Sequence, residues 1–146
     1  MKILITGVAG FIGANAADKL LANGHQVVGI DNLNNYYDPS LKNARLIKLL
    51  DNHDRLQFIR AAIQEPRVLE DIFKNNSIDV VIHLAAQAGV RYSIENPRAY
   101  LESNLVGTFE LLEAARNNPP KHMLLASTSS AYGANIDIPY CETHKA

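Results

Sequence analysis

The segment Thr6-Gly7-Val8-Ala9-Gly10-Phe11-Ile12-Gly13 places three glycines at every third position, directly after the apolar triplet Ile3-Leu4-Ile5. A chain that leaves a strand and enters a helix in this way can hold a phosphate. Gly7 permits the tight turn, Gly10 lets the backbone approach a pyrophosphate, and Gly13 lets the helix lie close to the strand. The free amides at the helix start, those of Phe11, Ile12 and Gly13, then face the anion. Asp31 stands 18 residues beyond Gly13, at the tip of the next apolar run, Val27-Val28-Gly29-Ile30. A carboxylate there accepts hydrogen bonds from the adenosine ribose hydroxyls and repels a 2′-phosphate. The following Asn32, Leu33 and Asn34 include no arginine to welcome that phosphate, so the pattern favours NAD over NADP. Glycines alone make tight turns and aspartates cap loops; strand, turn, helix and acid together point to a dinucleotide.

Other candidates are less self-sufficient. Ser127, Thr128, Ser129 and Ser130 form a hydroxyl cluster at a strand end, a pattern that is more often loop chemistry than a site. Arg91 has the planar fork that takes a carboxylate or a diphosphate, and equally suits a solvated surface. His83 ends an apolar strand and reads as a satisfied core histidine. The remaining histidines lack metal-ligand spacing, and Cys141 has no evident activating partner, so no metal site is expected.

The elements that must position these residues follow from the apolar pattern. Ile3 to Ile5 is a strand, and Ile12, Ala16 and Leu20 at helical spacing form a helix stopped at Gly24. Val27 to Ile30 is a strand too apolar for one solvated face, as expected of a parallel sheet covered on both sides. After the polar loop Asp31 to Ser40, Leu41 to Leu50 is helical and Leu56 to Ile59 is a strand. Pro66 sits at a helix start before Val68, Leu69, Ile72 and Phe73. Asp79 to Leu84 is the fourth strand, Pro97 to about Asn117 a long helix and His122 to Ala126 the fifth strand. Right-handed crossovers make this an α/β, doubly wound, Rossmann-like parallel sheet of order 3-2-1-4-5, with ligands beyond the carboxyl ends of the strands. On the long helix, Leu101, Leu105, Thr108, Leu112 and Ala115 share one side, which can cover the sheet and leave the other side for a partner.

The 146 residues, 47% hydrophobic with a net charge of −1, suffice for one ordinary core and offer no basic footprint for nucleic acid. The apolar runs are far shorter than the roughly 18 to 20 residues that span a bilayer, no signal peptide is evident, and the one cysteine fits a reducing cytoplasm.

The sequence resembles the extended short-chain dehydrogenase/reductase family, in particular its NAD-dependent nucleotide-sugar epimerases and dehydratases. The likeness lies in TGVAGFIG at Thr6 to Gly13, GIDNLNNYYD at Gly29 to Asp38, HLAAQAGVRYS at His83 to Ser93, NPRAYLESNLVGT at Asn96 to Thr108 and STSSAYGAN at Ser127 to Asn135. The second, third and fifth stretches look most like UDP-glucuronate 4-epimerases. The resemblance implies a cofactor site that also takes in Asn32, Asn34, Ala62, Ile63, Leu84, Ala85, Ala86 and Ser127. It implies Thr128 as the catalytic hydroxyl, Arg91, Ser129 and Ser130 beside a UDP-sugar, and a homo-oligomer built on the long helix. Asn104 matches an asparagine that holds the site together, or is a plain buried, hydrogen-bonded one. A 4,6-dehydratase would want acids where Ser129 and Ser130 stand, and a non-catalytic dinucleotide-binding module is a further alternative.

Two departures qualify the resemblance. Ala62 replaces the aspartate that binds the adenine amino group in relatives. The family's Tyr-x-x-x-Lys pair is missing, because Tyr36, Tyr37, Tyr92, Tyr100, Tyr132 and Tyr140 meet Ser40, Leu41, Asn96, Asn104, Ile136 and His144 four residues on. Residues 1–146 are therefore expected to be an incomplete NAD-binding Rossmann domain, an amino-terminal portion without the later strands or the carboxyl-terminal substrate domain.

Overall fold

The computed structural model describes residues 1–145. Five strands, β1 (Lys2–Thr6), β2 (Gln26–Asp31), β3 (Leu56–Arg60), β4 (Val80–His83) and β5 (His122–Leu125), form one sheet in the order β3-β2-β1-β4-β5. Every pairing is parallel, and Leu4 of β1 stands opposite Val28 of β2 and Val81 of β4. The expected topology is therefore present, with strand bounds shifted by at most one residue at either end.

Because successive side chains alternate across a strand, β1 feeds two cores. Leu4, Val28, Ile30 and Val81 pack with Leu69, Ile72 and Phe73 of α3 (Val68–Asn75) and with Leu111, Ala114 and Ala115 of α6 (Gly107–Asn117). On the other face Ile3, Ile5 and Val27 pack with Ala14, Ala17 and Leu21 of α1 (Phe11–Ala22) and with Leu46 and Leu49 of α2 (Pro39–Asn52). Burial on both faces is what the apolar character of β2 requires.

Three expectations need correction. Ile12, Ala16 and Leu20 are not the inward stripe of α1: the buried set is Gly13, Ala14, Ala17 and Leu21, and Ile12 is 65% exposed. The small residues win because they let the helix axis approach β1, whereas Ile12 lies in the first turn, beyond the sheet. The segment carrying Arg91 and Tyr92 is not a loop but a short helix, α4 (Val90–Glu95).

The third correction concerns the helix from Pro97 to Asn117. It starts as α5 (Pro97–Tyr100), widens into a π-helical stretch over Leu101–Val106 and continues as α6. The wide turns break a single stripe into two phases. The side facing the sheet is Gly107, Leu111, Ala114 and Ala115, so of the expected stripe only Ala115 is buried, and Leu101, Leu105 and Leu112 are exposed. Phe109 is exposed beside them. No helix among the described residues is long and apolar enough to cross a membrane.

The tightest point of the fold is where α1 meets the turn after β1. A Cβ on Gly13 would overlap the Gly7 carbonyl oxygen and crowd Val8 Cα, both of them backbone. Alanine in a helix interior ordinarily gains up to about 1 kcal/mol over glycine. At this position the clash reverses the sign, and Gly13→Ala is expected to cost about 1–3 kcal/mol, as overpacking of close-packed cores does. Chemical denaturation of the variant beside the parent checks this; a more stable variant would show that α1 can back away from the turn.

Candidate functional site

A cleft at the carboxyl end of the sheet is lined by Gly7, Gly10, Asp31, Asn32, Asn34, Ala62, Ile63, Leu84, Ala85 and Ala86. All ten are residues singled out from the sequence. Their assembly begins at Gly7, which adopts φ +73°, a left-handed conformation that glycine tolerates best. Its amide donates to Ile30 O at 2.8 Å, and a Cβ on it would strike the backbone of Leu84 and Ala85. The turn is thereby pressed between the ends of β2 and β4. Gly10 N donates to Gly7 O at 3.0 Å, and the first donor inside α1 is Ala14 N, to Gly10 O at 3.0 Å. The amides of Phe11, Ile12 and Gly13 precede that bond and have no backbone acceptor among the described residues, the state in which a helix start receives an anion. These three do not line the cleft themselves but adjoin Gly10, which does.

Asp31 is 8% exposed, and its carboxylate is fixed from two sides. Oδ2 accepts from Ala9 N at 3.1 Å and Oδ1 from Leu33 N at 2.9 Å. The residue does cap its loop, yet each oxygen keeps lone-pair capacity for a ligand hydroxyl.

The residues next to Asp31 in sequence are free of arginine, but a basic residue reaches it in space, because Lys42 of α2 lines the same cleft. Lys42 Nζ donates to Asn34 O at 3.1 Å and to Asn34 Oδ1 at 2.7 Å, and lies 4.7 Å from the Tyr37 ring centroid. Burial holds its pKa below the ordinary lysine value, with Asp31 pulling upward and Arg45 downward. A signal for it existed in the sequence: Lys42, Leu46 and Leu49 share the inward stripe of α2. Tyr37, Gln64 and Ser103 also line the cleft without having been singled out: Tyr37 and Ser103 lie inside stretches that carry the resemblance, and Gln64 lies outside them.

The fourth strand's exit is held by two polar devices. Thr6 Oγ1 accepts from Leu84 N at 3.1 Å and from Ala85 N at 3.0 Å. Its single hydrogen therefore goes to His83 Nδ1, 2.7 Å away, which leaves the imidazole proton on Nε2 to donate to Thr108 Oγ1 at 3.1 Å. His83 is thus the satisfied core histidine expected. Asn104 clasps Gln87 at both backbone groups, its Oδ1 accepting from Gln87 N at 2.7 Å and its Nδ2 donating to Gln87 O at 3.1 Å. The asparagine is hydrogen-bonded and also shapes the site. The π-helical stretch sets Ser103 in the cleft, Asn104 on this loop and Gly107 against Ile63.

Besides Phe11, Ile12 and Gly13, five candidates lie outside the cleft lining. Arg91 is exposed on α4, and Ser127, Thr128, Ser129 and Ser130 are exposed after β5. Thr128 Oγ1 accepts from Ser130 N at 3.2 Å, capping the short helical turn Ser129–Tyr132. Cys141 Sγ lies 3.1 Å from Thr143 Oγ1, a contact unforeseen in the sequence that draws the thiol pKa below its ordinary value. Among the described residues no group of three His, Cys, Asp or Glu is placed to hold a metal ion.

Comparison with known proteins adds an independent line. Residues 4–146 match the family model described as GDP-mannose 4,6 dehydratase. The chain is 47% identical to a protein of Rhizobium meliloti (strain 1021) named "Probable UDP-glucuronate 4-epimerase", over 100% of this chain and 42% of that protein. It is 43% identical to UDP-glucuronate 4-epimerase 4 of Arabidopsis thaliana, over 99% of this chain and 33% of that one. Among solved structures, a mutant UDP-glucuronic acid 4-epimerase from Bacillus cereus, in complex with UDP-4-deoxy-4-fluoro-glucuronic acid and NAD, superimposes with a TM-score of 0.85 at 37% identity, over 99% of this chain and 45% of that one. The chain thus spans less than half the length of each of these proteins.

The Thr6–His83–Thr108 chain generates a pH prediction. Burial holds the His83 pKa below its ordinary 6.5, and Thr6 offers Nδ1 a hydrogen rather than a lone pair. Below pH 6.5 the unfolded chain therefore takes up a proton that the folded chain refuses, and stability falls as the pH drops toward the folded-state value. The His83 contribution is complete above pH 6.5 and lost below it. Denaturation midpoints at pH 7.5 and 5.5 should separate more for the parent than for His83→Gln; equal separations would remove His83 as a cause.

Proposed function

This chain belongs to the GDP-mannose 4,6 dehydratase family, and on that premise we propose that it forms the NAD-binding part of a UDP-sugar 4-epimerase acting on UDP-glucuronate. The observation that carries the cofactor reading is the junction of β1 and α1, where three unpartnered amides adjoin a cleft whose next wall is Asp31. A diphosphate fits the amides of Phe11, Ile12 and Gly13, and the ribose hydroxyls fit the remaining lone pairs of Asp31. Asn32, Asn34, Ala62 and Ile63 line the adenosine side, and the small Leu84-Ala85-Ala86 turn leaves room opposite. When bound, NAD supplies a hydride acceptor that returns the hydride to the other face of the sugar.

The substrate side rests on family likeness and on chemistry. Thr128 offers a hydroxyl to the sugar oxygen, Ser127, Ser129 and Ser130 flank it, and Arg91 can fork onto a carboxylate or diphosphate. We read the protein as cytoplasmic and homo-oligomeric. The lone cysteine supports the first, and the exposed apolar face of Leu101, Leu105, Phe109 and Leu112 supports the second.

NAD should bind at least about tenfold more tightly than NADP, a difference of about 1.4 kcal/mol. Asp31 opposes a 2′-phosphate, and Lys42 has already given two N–H groups to Asn34. Calorimetric titration of both cofactors at matched salt checks this, with Asp31→Ala narrowing the gap; tighter binding of NADP by the parent would overturn the reading. The second expectation concerns turnover. No tyrosine here has lysine four residues on, and general-base help is worth about two to four orders of magnitude. The 146 residues alone should not interconvert UDP-glucuronate and UDP-galacturonate, whereas joining them to a carboxyl-terminal segment that carries Tyr-x-x-x-Lys should give activity. Turnover by the mass-verified chain alone would require a base among its own residues.

A further inference from the structure

The cleft follows the sheet edge from β1 over β2 to β3. If the diphosphate lies at the Gly10 turn and the ribose on Asp31, the base attached to that ribose falls over the end of β3; this step rests on the NAD reading above. The wall there is Ala61, Ala62, Ile63 and Gln64. The first three bring no polar side-chain atom. The backbone of Ala62 is engaged, its N–H donating to Glu65 Oε1 at 2.9 Å and its carbonyl accepting from Glu65 N at 3.1 Å. Gln64 is half-buried, and its carboxamide has no hydrogen-bond partner among the described residues. It is the one side chain on this wall that can answer the edge of a purine.

We propose that Gln64 reads the 1,6-edge of the cofactor's base, a task that Ala62 cannot perform. The amide oxygen accepts from the 6-amino group of adenine, and the amide NH2 donates to N1. Turned over, the same amide donates to a 6-oxo group and accepts from a protonated N1, so the hypoxanthine pattern is matched equally well. A carboxylate has no donor and cannot make either pair of bonds. Recognition of the base at this site is consequently adaptable.

The test titrates NAD and nicotinamide hypoxanthine dinucleotide into the parent, Gln64→Ala and Gln64→Met, with circular dichroism to verify the fold of each. The parent should bind the two dinucleotides within about threefold of each other. Loss of two exposed hydrogen bonds should weaken both ligands at least about fivefold in Gln64→Ala. Gln64→Met, which keeps length and apolar contact, should lose as much. Unchanged affinities in Gln64→Ala, parent-like affinity in Gln64→Met, or a parent that rejects the hypoxanthine analogue by more than tenfold would each overturn the proposal while leaving NAD binding in place. A parent that binds neither dinucleotide would overturn the NAD reading itself, and this inference with it.

Discussion

The hydroxyl of Thr6 is the point on which both flanks of the cleft depend. It lies at the end of the central strand, fully buried, and gathers two amides of the β4 exit while donating its own hydrogen to His83. A valine of similar shape would leave the Ala85 amide and one imidazole nitrogen unpaired in the interior, where each unsatisfied group costs about 1–3 kcal/mol, while the Leu84 amide would keep only the Thr6 carbonyl at 3.2 Å. With the exit so fastened, the backbone of Leu84 and Ala85 can press against Gly7, and the glycine turn acquires a fixed wall. The phosphate-type geometry at the start of α1 is thus set by polar bonding on β4 as much as by the glycines that mark it in the sequence.

A second constraint is charge placement. Asp31 and Lys42 face one cleft, but neither is paired at contact distance with the other: the carboxylate is held by Ala9 and Leu33 amides, and the ammonium by Asn34. Holding opposite charges apart on separate neutral anchors avoids the desolvated ion pair that would neutralise the site. Along the sheet edge the free amides at the start of α1, the carboxylate of Asp31 and the neutral amide of Gln64 follow one another, with Lys42 facing them.

Much of this was legible beforehand, for physical reasons that differ by residue. The sheet order follows from the alternation of apolar strands with helices, since handedness leaves few topologies. Gly7, Gly10, Gly13 and Asp31 were visible because backbone geometry restricts those positions to very few residue types. Gln64 and Ser103 were not visible, because each reaches the cleft through tertiary placement, and a glutamine or serine at such a spot is locally indistinguishable from a solvated one; Lys42 was legible only through its place on the stripe of Leu46 and Leu49. The stripes on α1 and α6 were misread for another reason: close approach to the sheet favours Gly13, Ala14, Ala17, Gly107 and Ala114 over larger apolar neighbours, so hydrophobicity alone pointed to the wrong side.

The wide turns at Leu101–Val106 have a mechanical meaning as well as a geometric one. They act as a slip joint between two cylinders of a single rod. The wide turns themselves carry Ser103 at the cleft and Asn104 at the β4 loop, while the cylinder after them seats Leu111 and Ala115 on the sheet. Packing in the core and placement at the site are thereby separated along one continuous helix.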